Sequence, residues 1–483
     1  MSLWINQVFK KMMKIQFKLF FLIAFLIIGC ESADNSNNVK AVRFDLPEIQ
    51  ESGVLRAITV YSATSYFIFK GRPMGFEFEL LSRLSDDLGL DLVMVIAKDA
   101  DELFTMLNSG HGDMVAASLT ITKDRTEKVN FTEHHTITRQ VLVQNKPSDW
   151  RNMKLHEIEN LLIRNPIDLI GKKVHVRKGS SYYTRLLNLS DEIGGDIEIV
   201  EVPGNVTTEH LIKRVAEGEI KFTVSDENIA LINQAYYPIL DVKTAVSFPQ
   251  RTAWVIRKNS PLLLKAVNEW LIDVKKTTDY YVIYNKYFKN RRAFRTRMES
   301  EYSSIGGGKI SKFDDYIRSY ADSIGWDWKL IASLIYQESQ FRPKVKSWAG
   351  AVGLMQLLPS TAKHYGAKNV YNPQENVLAG TNYLKWLDTY WEEIEEPEER
   401  VKFVLASYNC GYNHIEDARR LTDKYDGDPN TWDENVADFV IKLSDEEYYN
   451  DEVVNFGYCR GEEPVAYVEE ILDRYQHYAK LIE

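Results

Sequence analysis

Residues 328–362 read WKLIASLIYQESQFRPKVKSWAGAVGLMQLLPSTA. In the first half Leu330, Ile331, Leu334 and Ile335 recur three and four apart, the apolar stripe of one helix face. Glu338 is the next step of the series 330, 334, 338, so a carboxylate continues the greasy side instead of the wet one. Desolvation disfavours the charged form of such a group. A carboxyl held partly neutral is what a general acid working near neutral pH requires. After Pro343 the helical pattern stops, Gly350 and Gly353 bracket a turn, and Leu354-Met355-Gln356-Leu357 restarts an apolar run. One acid at a helix end, faced by a glycine-flanked loop, describes a cleft.

Outward from this stretch the pattern stays helical. Helices are expected at 313–324, 328–340, 360–365, 374–391, 398–407, 413–421 and 465–482, with no strand alternation between them. Asp426-Gly427-Asp428-Pro429-Asn430 has the oxygen spacing of a calcium loop, but Thr431 stands where Gly is needed and Ala437 where Glu is needed. Residues 423–434 therefore read as an acidic turn.

Three clusters follow in order: Glu338-Ser339, Gly353-Leu354-Met355-Gln356 and Ala406-Ser407-Tyr408-Asn409-Cys410-Gly411. Gly461-Glu462-Glu463 with Tyr467-Val468 is a fourth. In this order they resemble the signatures of the soluble lytic transglycosylase domain, an α-rich, lysozyme-like fold acting on peptidoglycan. The resemblance implies that Glu338 is the catalytic acid and base. It implies that Ser339, Ser347, Gln356, Tyr408, Asn409, Glu463 and Tyr467 bind substrate. Ordinary glycosidases need two carboxylates, and the motifs here supply one. The implied chemistry cleaves the MurNAc–GlcNAc bond without water and leaves a 1,6-anhydro end. A hydrolytic muramidase, or a receptor or scaffold with an inert second domain, are the competing expectations.

Upstream, strands are expected at 54–60, 91–96 and 114–117, with helices at 75–89 and around Leu103 and Leu107. This alternation reads as a parallel α/β sheet. Ser118-Leu119-Thr120-Ile121-Thr122, Arg125, Gly179-Ser180-Ser181 and Val224-Ser225-Asp226 follow in the order seen in extracellular solute-binding proteins of the amino-acid type. The resemblance implies two lobes over residues 46–295, the second spanning about 146–246, with crossings near Asn145 and Ser247. It further implies a ligand site in which Arg125 pairs with an α-carboxylate, for which its fork is well shaped. Thr120 and Ser181 would add hydroxyls, and Asp226 would take an ammonium; Asp226 also reads as a simple helix cap. An amino acid or muropeptide effector is the expected ligand. His134-His135 lacks a third ligand at metal spacing and reads as a solvated loop pair, so neither metal nor cofactor is expected. Residues 261–295 read as one long helical tract, and Gly306-Gly307-Gly308 makes 296–309 a flexible linker to the domain at 310–483.

The 483-residue chain carries a formal charge of -10, which argues against nucleic acid as a partner. At its start four lysines precede the ten-residue apolar run Leu19–Ile28, then Gly29-Cys30. Ten residues are too few to cross about 30 Å of hydrocarbon as a helix, so residues 1–29 read as a signal peptide. Ile27-Ile28-Gly29-Cys30 is similar to a bacterial lipobox. It implies lipidation of Cys30 and, with Glu31 following, anchoring at the periplasmic face of the outer membrane. Residues 30–45 are the polar tether. Cys410 and Cys459 remain, either as a disulfide or as two buried thiols.

Overall fold

The computed structural model describes residues 44–305 and 307–482, so the expected signal peptide, Cys30 and nearly all of the expected tether lie outside the described residues. The first half holds two large sheets and a two-stranded hairpin. In one, Val54–Val60 is flanked by Asp91–Ala97 and Met114–Thr120, all parallel. Gln250–Ile256 then joins antiparallel to Met114–Thr120. In the other, Glu198–Val202, Lys173–Arg177 and Phe222–Asp226 run parallel, and Gln140–Asn145 lies antiparallel beside them. The expected all-parallel sheet is therefore corrected to two mixed sheets. Each antiparallel member is a strand arriving from the other lobe, which enters against the local direction. The first crossing is at Arg139, between Thr136–Thr138 of one sheet and Gln140–Asn145 of the other, earlier than the expected Asn145. The return falls between Val246 and Gln250.

His135 also departs from expectation. It is buried between Phe76 and Trp254, not solvated, and burial lowers its pKa, which keeps the ring neutral. The expected single tract at 261–295 is three helices, Pro261–Val274, Thr278–Phe288 and Arg291–Glu299. The breaks carry their own caps: the Thr277 hydroxyl accepts from Tyr280 N–H, and the Asn290 side chain accepts from Ala293 N–H.

The second half is helical, with the acid-bearing helix Trp328–Ser339 against the C-terminal helix Glu462–Leu481. Asp327 caps the former by accepting from Lys329 N–H, and buried Ser333 donates to the Ile471 carbonyl across the contact. The helix ends because Gln340 and Phe341 both adopt left-handed backbone, at φ 50° and 57°. Short helices at Ala437–Lys442 and Glu446–Tyr449 fill the segment after the acidic turn.

The expected flexible linker is tied down at Ser303 and Ser304. Ser303 is fully buried and pairs with Phe69, and Ser304 both accepts from Ile68 N–H and donates to its carbonyl. The hairpin Phe67–Phe69/Arg72–Met74 thereby gains a third partner and turns its tip onto the helical half. There Tyr478 donates to the Gly71 carbonyl at 2.8 Å, and Tyr66 meets His477 Nδ1 at 2.6 Å. A Cβ at Gly71 would lie 2.6 Å from the Phe341 ring and 3.1 Å from Tyr336.

Candidate active site

Glu338 sits half-buried in the last turn of its helix. Desolvation pushes its carboxyl up to about 7, and a hydrogen bond from the Tyr467 hydroxyl to Oε1, at 2.5 Å, opposes the rise. No other charged group among the described residues contributes resolvably to that value. Tyr467 is 6% exposed. Through that hydrogen bond it holds the acid in place, a role beside the substrate contact the resemblance implied.

The loop after the helix is tied down by a residue the sequence reading missed. Asn376, fully buried, accepts from Met355 N–H and donates to the Val352 and Val370 carbonyls. Gly353, at φ 88°, leaves room for that amide, since a Cβ there would stand 2.4 Å from it. A buried Asn in the stripe with Gly380, Leu384 and Leu387 was the available signal. With the loop fixed, Gln356 takes a left-handed φ of 46° and donates its amide N–H to the Val345 and Gly353 carbonyls. Gln356 thus keeps its Oε1 as an acceptor for a ligand. Tyr408 donates to the Met355 carbonyl at 2.7 Å, and Glu338 and Tyr408 are close enough to interact electrostatically.

The other expected contacts divide. Ser347 and Asn409 are half-buried, with the Ser347 hydroxyl accepting from Ala351 N–H. Glu463 is exposed in the first turn of the C-terminal helix. Ser339 is corrected: it is 1% exposed and donates to the Ile335 carbonyl of its own helix, so it braces the helix end. The thiols of Cys410 and Cys459 are free and within hydrogen-bonding reach of each other, one at the end of Pro397–Cys410 and one just ahead of the C-terminal helix.

In the first half, Thr120, Arg125, Ser181 and Asp226 line one cavity of about 110 Å³ between the lobes. Arg125 donates to the Thr120 carbonyl of one lobe and the Gly179 carbonyl of the other, and Ser181 donates to Thr120 Oγ1 at 3.3 Å. Asp226 stands at an N-cap position but makes no side-chain cap bond. Its buried Oδ1 has no partner, and burial pushes the carboxyl up to about 7. Glu209 is a second buried carboxylate on the same wall, accepting from Ala63 N–H across the lobes. At the start of a helix it carried no sequence signal. Among the described residues no group of three His, Cys, Asp or Glu could hold a metal ion.

Residues 315–430 match the Transglycosylase SLT domain, and residues 57–290 match the bacterial extracellular solute-binding proteins, family 3. Fold and site together define a lytic-transglycosylase domain carried behind a solute-binding domain. Membrane-bound lytic murein transglycosylase F of Desulfosudis oleivorans is 35% identical over 428 residues, covering 89% of this chain and 90% of that protein. The protein of that name from Photobacterium profundum is 32% identical over 458 residues, covering 94% and 84%. The chain belongs to the membrane-bound lytic murein transglycosylase F family. An ancestral amino acid-binding protein of known crystal structure is 26% identical with a TM-score of 0.42, covering 50% of this chain and 98% of that one. No helix among the described residues is long and apolar enough to cross a membrane.

Proposed function

We propose that this chain cleaves the MurNAc–GlcNAc β-1,4 bond of peptidoglycan with Glu338 as its single acid and base. The observation that carries the reading is one carboxyl, raised to about 7 by burial and held by Tyr467, beside a loop of neutral amide and hydroxyl groups. Protonated Glu338 gives its proton to the glycosidic oxygen as the C1–O bond breaks. The 2-acetamido oxygen of the same MurNAc closes on C1, the substrate-assisted route open where a second carboxylate is missing. Glu338, now anionic, takes the C6 hydroxyl proton as O6 displaces the acetamido oxygen, which closes the 1,6-anhydro ring and restores the acid. Gln356 Oε1, Tyr408, Asn409 and Ser347 suit the sugar's amide and hydroxyls, which both donate and accept. Mass spectrometry of digested sacculi tests the route. Anhydro-ended products are expected, and products heavier by one water would replace this reading with hydrolysis.

The lobed domain binds an amino acid or murein-derived peptide and modulates the cleft. Buried Asp226, with one oxygen unpartnered, suits the ligand's ammonium, and Arg125 suits its carboxylate. Modulation has a physical route in the hairpin tip at Gly71, which packs on Tyr336 and Phe341 to either side of Glu338. Lipid on Cys30 holds the protein at the periplasmic face of the outer membrane. Isothermal titration with amino acids and murein peptides should give binding that Arg125→Ala weakens at least tenfold, the loss of a charge-assisted pair. No heat from any of them with the parent protein would remove the sensor role.

A further inference from the structure

The helix Pro373–Tyr390 buries one face, through Asn376, Val377, Ala379, Gly380, Leu384 and Leu387. Tyr383, Trp386 and Tyr390 recur three and four residues apart along the edge of that face that begins at Ala379. Trp386 is 39% exposed and Tyr390 37%, a large apolar surface to leave in water on a helix whose core contacts are already made. Tyr383 and Trp386 stack at 6.2 Å and 18°, and Tyr390 tilts against Trp386 at 5.6 Å and 32°. Tyr412, from the next helix but one, buttresses the wall edge-on, 5.3 Å and 72° from Trp386 and 4.7 Å and 56° from Tyr390. At its inner end the wall is continuous with the cleft. Tyr383 meets Tyr408 at 5.3 Å, and Tyr408 is the ring bonded to the loop of Gln356 and close to Glu338.

We propose that the exposed rings of Trp386 and Tyr390, braced edge-on by Tyr412, form a stacking platform for sugar rings of the glycan strand lying beyond the bond that is cut. A pyranose presents an apolar face of C–H groups and a polar rim of hydroxyls, so flat aromatic surface covers the one while the rim stays wet. The polar groups around the wall fit the rim: Tyr390 already donates to Glu416 at 3.0 Å, at the outer edge. The continuity with the cleft selects a glycan strand as occupant over a protein partner, because a strand held at Glu338 must continue somewhere along the surface. The proposal rests on glycan cleavage at Glu338, and it assigns where the uncut remainder of the substrate is held.

The test separates binding from chemistry. In the full chain carrying Glu338→Gln, co-sedimentation with purified sacculi should weaken about tenfold on adding Trp386→Ala, and Trp386→Phe should recover most of it. In the cleaving protein, Trp386→Ala should raise KM about tenfold on long glycan strands at unchanged kcat. On a disaccharide that spans only the bond that is cut it should match the parent. Sacculus binding unaffected by Trp386→Ala, or an equal loss on long and short substrates, overturns the platform. A parent protein that binds sacculi through Trp386 but cuts nothing would instead sink the cleavage reading and leave the platform standing.

Discussion

Glu338→Gln should reduce peptidoglycan cleavage by about a thousandfold or more, because general acid–base catalysis is worth 10²–10⁴ and here one group performs both halves. The same variant should be more stable than the parent at alkaline pH, which distinguishes lost chemistry from lost fold. A carboxyl whose folded pKa is raised from 4.5 to about 7 binds its proton more tightly folded than unfolded. Its contribution is thus favourable relative to the ionised state only at low pH, and stability falls as pH rises through the window between those values. An amide never ionises and escapes the fall. The gain expected near pH 8 is about 2 kcal/mol, a discounted figure for a half-buried group, and it should vanish near pH 4. Thermal melts at the two pH values read it directly. Turnover by the parent should decline as pH rises above about 7, when the acid starts each cycle without its proton. Tyr467→Phe should move that decline to higher pH, since the Tyr467 hydroxyl is what opposes the rise. A variant that merely loosened the fold would lower the whole profile and leave its limb in place.

What the sequence could and could not convey follows from the range of the forces involved. Val54–Val60 and the acid helix are set by local periodicity and end as read, to within a residue at the helix terminus. Glu338 was legible because its place in the apolar stripe is a fact about spacing. The partner that tunes it was not, because Tyr467 lies 129 residues away and its motif position says nothing about which atom its hydroxyl meets. The hairpin Phe67–Phe69/Arg72–Met74 was missed because each strand is three residues long and holds its place by borrowing Ser303 and Ser304. The linker misled for the reciprocal reason: serine and glycine composition predicts a loose chain only where nothing distant bonds to it. At Asp226 the sequence favoured a ligand contact and left a helix cap as the alternative. The carboxylate makes no cap bond and lines the cavity between the lobes, a placement set by packing that spacing does not encode.

Adding one methyl group at Gly461 should cost at least about 3 kcal/mol, above the usual penalty for overpacking. Its Cβ would lie 1.8 Å from the Val440 carbonyl oxygen, 2.3 Å from the carbonyl carbon and 2.5 Å from Ile441 Cα. All three are backbone atoms of Ala437–Lys442 or its bonds, so no side-chain rotation relieves the overlap. The φ of Gly461 is -65°, open to any residue, so the requirement is for closeness and not for an unusual backbone. To fit Ala the start of Glu462–Leu481 must move off its neighbour. That helix carries Tyr467, so the hydrogen bond that steadies Glu338 moves with it. Gly461→Ala should therefore lower the unfolding midpoint of the helical domain and also depress kcat in whatever protein remains folded. Gly457→Ala is the control. Its φ is 76° but nothing stands within 4 Å of the added carbon, so it should lose only the roughly 1 kcal/mol that a left-handed residue costs. Equal effects of the two substitutions would mean that the helix start has slack, and the claim that Gly461 fixes Tyr467 against the acid would fail.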